Sequence, residues 1–156
     1  MVKKVKITID SKQRLHIPEP EDEENGSPLV GDMSSRVESE GELEYEDGVF
    51  CISYPESEVT GMEGSVTSVT FSDKKPGSVS IYRSGPVKTV MMFAEGQRYI
   101  AVYDTGFGSF EVGIVTLCCD NRISELGGEL HITYIVEIKG SEAEHTELEI
   151  NVRCIE

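Results

Sequence analysis

Positive charge is scarce in this chain. Lys and Arg together number 14 against 29 Asp and Glu, which gives a formal net charge of −15 at pH 7. Such a charge repels the phosphates of nucleic acids and the surfaces of acidic membranes, and it forfeits the counterion release that drives nucleic-acid binding. We therefore expect no nucleic acid and no membrane among its partners, whereas a basic cytosolic protein would suit the charge.

Long apolar runs are also missing. No stretch approaches the roughly 20 consecutive apolar residues that a membrane-spanning helix requires. The basic start, residues 1–6, is not followed by the apolar stretch and small-residue cleavage site of a secretory signal. The sequence therefore predicts a cytoplasmic protein.

Cysteine is rare, and its spacing does not indicate a metal or redox site. The four cysteines lack CxxC spacing, and the adjacent pair Cys118 and Cys119 can form a disulfide only with strain. A free cysteine commonly behaves as a small buried hydrophobic residue. We expect all four to be reduced thiols.

Histidine is equally rare, with His16, His131 and His145 in separate segments. His131 alternates with the apolar residues of its segment, and His145 lies on the polar face of the last segment, so both should face solvent. If the last two segments pair, Glu129 and Glu147 could join these two histidines around a zinc ion. A catalytic zinc site needs a more concave setting, and we expect no metal.

Motifs of known enzymes are absent. The sequence contains no Gly-x-Ser-x-Gly elbow and no cysteine placed near a histidine in a recognisable motif. Gly106-Phe107-Gly108 lies between two predicted strands, so no helix N-terminus is available there to hold a phosphate, and a hairpin bend is expected instead. We predict no enzymatic activity, no catalytic residue and no cofactor.

Short alternating runs separated by turn residues fill most of the chain. Residues 2–9 place Val5, Ile7 and Ile9 on one face, and nine or ten such runs follow one another without a helical period. Asp47-Gly48 is a strong signal for a two-residue hairpin. Connections this short predict an all-β, antiparallel up-and-down meander, and closing it into a barrel of about 8–10 strands removes exposed edges.

One acidic segment interrupts this pattern. Prolines and charges at residues 18–28 block ladder hydrogen bonds, and we expect a mobile acidic loop at about residues 11–34 within a single domain, residues 1–156. Two interpretations are open for this loop: a solvated insertion between strands, or a docking segment for a basic partner.

The second half of the chain resembles a known family, and the residues that carry the resemblance are 79–88, Met92-Phe93 with Gly96, 103–108, Thr116 and 128–134. It is similar to the YwiB-like bacterial domain of unknown function over about residues 35–152, and residues 2–9 resemble the first strand of that family. This resemblance implies a cytosolic, calycin-type, lipocalin-like barrel, but it implies no ligand. The chain lacks the Gly-x-Trp start of true lipocalins, and Cys154-Ile155 after Arg153 departs from the Arg-x-Tyr clamp of intracellular fatty-acid binders.

The apolar faces of the predicted strands suggest what the barrel encloses. A barrel of about eight strands is either filled by its own side chains or holds one small ligand. Arg83 shares a face with Val79 and Ile81 next to a turn, so we expect it at the rim, paired with a carboxylate such as Asp104 or with the head group of an anionic amphiphile. The candidate ligand-binding residues are Arg83, Met92, Tyr103 and Tyr134. The residues that alternation would turn inward are Val79, Ile81, Val90, Met92, Ile100, Val102, Val112, Ile114, Leu130, Ile132, Tyr134, Leu148 and Ile150.

Two functions follow from these features. The first is a non-catalytic cytosolic β-barrel that binds a small apolar or amphipathic molecule. The alternative is a protein-interaction module that uses the acidic loop or a strand edge to engage a basic cytosolic protein.

Overall fold

Ten β-strands make up the structure, a computed structural model that describes residues 1–17, 29–56, 64–86, 88–104, 108–139 and 141–155. Within these ranges there is no helix, and hence none with the length and hydropathy of a membrane span. The strands are β1 (Val2–Ile17), β2 (Leu29–Glu46), β3 (Val49–Pro55), β4 (Val66–Ser72), β5 (Lys75–Ser84), β6 (Lys88–Ala94), β7 (Arg98–Asp104), β8 (Ser109–Asn121), β9 (Gly127–Ile138) and β10 (Ser141–Cys154).

Each strand pairs with its neighbours in the sequence, and β1 also pairs with β10, which closes the sheet into a barrel. All pairings are antiparallel, and β1 meets β10 from Val5 opposite Cys154 to Leu15 opposite Glu144. The predicted antiparallel meander, its closure and its strand number are therefore confirmed. The two-residue turn between β2 and β3 is also as predicted, because Asp47 and Gly48 both have positive φ, 51° and 81°.

The first two strands are longer than the sequence predicted. Residues 11–17 continue β1 and residues 29–34 belong to β2, so the expected bounds of the acidic loop, 11–34, are wrong at both ends. Gln13 lies opposite Met33 on β2 and opposite Thr146 on β10, and pairing on both sides keeps this polar stretch extended despite its weak apolar pattern. Residues 18–28, with the acidic stretch, lie outside the described residues.

The core consists of the inward-facing side chains of the strands. Aromatic rings pack against one another in it, with ring centroids 5.1 Å apart for Phe50 and Phe71 and 4.8 Å apart for Phe93 and Tyr134. Full burial of one such apolar side chain contributes roughly 1.5–3 kcal/mol, so these residues dominate the stability of the barrel. The fully buried apolar side chains are Val5, Ile7, Leu43, Ile52, Val69, Val79, Phe93, Ile114, Leu130, Ile132 and Ile150.

The expected inward faces of β6 and β7 are wrong by one residue. Val90, Met92, Ile100 and Val102 face outward with 44–52% exposure, and Met91 and its alternates Thr89 and Phe93 face inward. Both faces of these strands carry apolar residues, so alternation alone does not choose between them. Pairing with β5, which sets Met91 opposite the buried Ile81, decides the face.

Candidate functional site

A cavity of about 290 Å³ lies inside the barrel, and we call it the interior cavity. Part of its wall is apolar and the rest carries hydroxyl, amide and charged groups. Ligand sites of small proteins commonly combine these features, with an apolar wall for affinity and a few polar groups for orientation. The apolar residues are Ile9, Val37, Ile81, Met91, Val136, Leu148 and Ile150, and the polar ones are Ser11, Gln13, Tyr54, Glu56, Arg83, Tyr103, Tyr134 and Glu144.

A row of residues across four strands carries Arg83 into this cavity. Arg83 of β5 lies opposite Thr67 of β4 on one side and opposite Thr89 of β6 on the other. Thr89 in turn lies opposite Tyr103 of β7. Residues directly opposite in adjacent strands share a face of the sheet, so all four side chains point into the barrel. Arg83 also follows the buried Val79 and Ile81 by two-residue steps, as the sequence predicted.

Inside the cavity, Arg83 is paired with a buried carboxylate. Its Nη2 lies 3.5 Å from Oε1 of Glu56, and the two side chains are 15% and 4% exposed. The hydroxyl of Thr67 connects them, donating to Glu56 Oε1 at 2.5 Å and accepting from Arg83 Nε at 3.2 Å. The expected partner Asp104 lies on the exposed outer face of β7, so that assignment is corrected to Glu56.

A second carboxylate, Glu144, enters the cavity from β10. Glu144 alternates regularly with Thr146 and Leu148 and therefore shares their inward face, and the register irregularity of β10 lies before it, between Glu142 and Glu144. The Thr146 hydroxyl donates to Glu144 Oε1 at 2.6 Å. No cationic side chain lies within ion-pair distance of Glu144 in the part of the chain that the structure describes.

Three tyrosines complete the polar part of the cavity as neutral phenols. Burial raises the pKa of Tyr134 and of Tyr54, with the nearby carboxylates Glu144 and Glu56 acting in the same direction. Burial also raises the pKa of Tyr103, partly offset by Arg83. The Tyr103 hydroxyl lies 3.6 Å from the sulfur of Met91. The site thus presents aromatic faces and hydroxyl groups rather than phenolate charge.

Three of the four candidate ligand-binding residues, Arg83, Tyr103 and Tyr134, line the interior cavity together. Met92 does not, because it is 44% exposed on the outer face of β6, and Met91 takes its place. Sequence reasoning missed the polar residues Glu56 and Glu144. Glu56 continues the alternation of buried residues along β3 by one more step, a signal that was present in the sequence.

The outer surface holds a separate cluster of polar groups. The side-chain nitrogen and oxygen atoms of Glu129, His131 and Glu149 that could coordinate a metal ion lie within 4.8 Å of one another. His131 Nε2 is 3.3 Å from Glu129 Oε2 and 3.8 Å from Glu149 Oε1. Register places Glu149 opposite His131, whereas His145 lies opposite Ile135, so the expected grouping of His131 with His145 is wrong. The solvent-facing position expected for His131 agrees with its 45% side-chain exposure. All three groups are open to solvent, unlike those of the interior cavity.

Comparison with known proteins bears on the family and the fold. Residues 30–150 match the model of a family described as "Domain of unknown function (DUF1934)". The crystal structure of ywiB protein from Bacillus subtilis is similar with a TM-score of 0.72 and 21% sequence identity, over 99% of this chain and 94% of that one. At this identity the likeness concerns the fold alone. No curated protein matches the chain.

Proposed function

This chain belongs to the DUF1934 family of domains of unknown function, and from its cavity we propose that it is a non-catalytic barrel that binds one small amphipathic molecule. The observation that carries the proposal is the interior cavity, about 290 Å³ in volume, with an apolar wall and a polar part. Its apolar side would hold a short hydrocarbon chain, and its polar groups would orient a head group.

The volume of the cavity limits how much hydrocarbon it can bury, and therefore how tightly a ligand can bind. Transfer of a hydrocarbon chain from water contributes roughly 0.8 kcal/mol per CH₂ group that is fully buried. Eight such groups contribute at most about 6 kcal/mol, and association and ordering of the ligand cost several kcal/mol of this, so with the hydrogen bonds of the head group added we expect binding no tighter than the millimolar range. The proposal therefore concerns a compact molecule rather than a long fatty acid.

A binding role rather than catalysis is supported by how the charged groups are engaged. Glu56 accepts a hydrogen bond from Thr67 and pairs with Arg83, and Glu144 accepts from Thr146. These contacts hold both carboxylates in fixed positions, which favours a binding role. The proposed location is the cytosol, which four free cysteines support because cytosolic thiols stay reduced.

Native mass spectrometry of freshly purified protein and titration with 1-octanol test the proposal. We expect a co-purifying small molecule or saturable octanol binding by calorimetry. Val37 lines the interior cavity, so the larger side chain of Val37→Phe should occupy part of the cavity volume and weaken octanol binding at least tenfold. Val90→Phe is the matched control, because Val90 is 46% exposed on the outer face and the same substitution there should leave octanol binding unchanged.

Two outcomes would overturn it. Wild-type protein that neither carries a bound molecule nor binds octanol at millimolar concentration would indicate a barrel filled by its own side chains. Equal weakening by Val37→Phe and Val90→Phe would place the octanol outside the interior cavity.

The net charge of −15 favours a second candidate function, interaction with a basic protein. Electrostatic attraction of this kind raises association rates at low ionic strength. Among the described residues, β2 pairs with β1 over residues 29–44 but with β3 only from Glu42 onward, so residues 29–41 keep one unpaired edge, and this alternative depends on the acidic residues or on that strand edge. Capture of basic proteins from a cytosolic extract, lost above about 0.5 M salt because screening shortens the range of such attraction, would support it.

A further inference from the structure

Among the described residues, two carboxylates and one guanidinium line the interior cavity: those of Glu56, Glu144 and Arg83. Arg83 is engaged by Glu56, 3.5 Å away, and by the Thr67 hydroxyl. The Arg83–Glu56 pair is neutral as a whole. Ionised Glu144 therefore gives the cavity one net negative charge.

Glu144 is also the carboxylate that can accept further hydrogen bonds from a ligand. An ionised carboxylate offers about four lone-pair positions, and the Thr146 hydroxyl occupies one of those of Glu144. In the described ranges no Lys, Arg or His forms an ion pair with it. Tyr134 lies opposite Thr146, the hydrogen-bond partner of Glu144, and Tyr103 lines the same cavity.

We propose that the amphipathic ligand of the cavity carries a primary ammonium group, which binds the Glu144 carboxylate while its hydrocarbon part lies against the apolar wall. This inference rests on the proposed function and names the class of its ligand. The rings of Tyr103 and Tyr134 favour a cation, because the face of an aromatic ring is electrostatically negative. An anionic head group would instead be repelled by two carboxylates in the cavity, and the one arginine there is already paired with Glu56.

The charge of the whole molecule acts in the same direction. A net charge of −15 attracts cations to the protein surface and repels anions at low ionic strength. The electrostatic field of the protein would thus attract the ammonium group toward the cavity. Burial of the alkyl chain would add affinity that charge alone does not provide.

The test compares three ligands with the same eight-carbon chain: octylamine, 1-octanol and octanoate, titrated by calorimetry at pH 7.5. Wild-type protein should bind octylamine at least tenfold more tightly than octanol, a difference of about 1.4 kcal/mol. Glu144→Gln should abolish this preference for the amine over the alcohol. Glu147→Gln, an exposed carboxylate on the outward face of the same strand, is the matched control and should keep it.

The outcomes separate this inference from the proposed function. Octanol binding as tight as octylamine binding would overturn the amine and leave the proposed function standing. Tighter binding of octanoate, lost in Arg83→Met, would assign an anionic ligand instead. Failure of all three ligands to bind would overturn the proposed function and the amine with it.

A second measurement uses the wild-type protein alone, in case Glu144→Gln does not fold. The CH₂ group next to the nitrogen of octylamine should show nuclear Overhauser contacts to the ring protons of Tyr103 and Tyr134. Contacts to these rings from the terminal methyl group instead would reverse the orientation and overturn the inference.

Discussion

The guanidinium of Arg83 and the carboxylate of Glu56 lie 3.5 Å apart inside the barrel, and one hydroxyl, that of Thr67, hydrogen-bonds to both. Both charged side chains are largely buried, so removing either one would leave the other as an unpaired buried charge, which is energetically costly. The pair therefore fixes where charge sits in the interior cavity and leaves Glu144 as the carboxylate that a ligand can reach.

Removal of Arg83 should destabilise the protein. Arg83→Met leaves Glu56 buried without a counter-charge, and we expect the free energy of unfolding in urea to fall by about 3 kcal/mol. The double variant Arg83→Met with Glu56→Gln removes the unpaired charge and should regain about 1 kcal/mol of this loss. Urea denaturation of the three proteins measures both values.

Arg36→Met is the control for this experiment. Arg36 pairs with Asp10 at 3.1 Å, but its side chain is 70% exposed, and exposed pairs contribute at most about 1 kcal/mol. A loss for Arg83→Met no larger than that for Arg36→Met would show that the interior pair is as well hydrated as the surface pair.

Alkaline pH should destabilise the barrel through its buried phenols. Burial raises the pKa of Tyr134 above its ordinary value of 10.0, so the folded state holds the proton more tightly than the unfolded chain does. The resulting stability is complete below pH 10 and is lost as the pH rises further, because unfolding then releases a proton. Thermal melting from pH 9 to pH 11.5 should show this decline.

The slope of that decline identifies the residue. Tyr134→Phe should flatten the fall of the melting temperature with pH, whereas Tyr82→Phe, on the outer face and 45% exposed, should not. Comparing slopes rather than absolute melting temperatures removes the effect of the lost hydroxyl. Identical slopes in both variants would contradict the role of Tyr134.

The adjacent thiols of Cys118 and Cys119 should differ in reactivity. Cys118 is exposed, whereas Cys119 packs against the core, and burial, with Cys118 beside it, raises the pKa of the Cys119 thiol to about 11. Since the thiolate is the reactive form, iodoacetamide at pH 7.5 should label Cys118 first, as tandem mass spectrometry can show. Cys118→Ser should remove the fast reaction, and Cys119→Ser should keep it; equal labelling rates would count against this arrangement.

Deletion of residues 19–25 should leave the stability of the barrel nearly unchanged. Shortening a loop by this amount changes its closure entropy by well under about 1 kcal/mol. If the interaction function holds, the deletion should abolish capture of basic proteins at an unchanged melting temperature. Capture that survives the deletion would exclude this segment as the docking site.

Much of the fold could be predicted because local signals agree along the chain. The Asp47-Gly48 turn and the alternation of Leu130 and Ile132 with polar neighbours each point to one structure, and short connections allow only antiparallel neighbours. The inward face of β6 could not be predicted, because Met91 and Met92 are equally apolar and only the pairing with β5 distinguishes them.

The candidate site was predictable only in part. Arg83 follows two buried residues at two-residue spacing, so its inward position is readable from the sequence. Its partner Glu56 lies just beyond the end of β3, with Thr67 of β4 between them, so this contact depends on the register of three neighbouring strands rather than on a local pattern. Glu144 lies at two-residue steps from Thr146, Leu148 and Ile150, so alternation does predict its inward position, a signal that sequence reasoning missed.

The closure of the barrel by β1 and β10 has a kinetic consequence. Val5 pairs with Cys154, so the last ladder to form joins the two ends of the sequence. Proteins dominated by such distant pairings fold in milliseconds to seconds rather than microseconds. While the chain is being synthesised, β1 has only β2 as a partner, and its other edge stays unpaired until β10 leaves the ribosome. The nascent chain thus passes through an open, association-prone sheet in which β1 lacks the partner that β10 provides in the finished barrel.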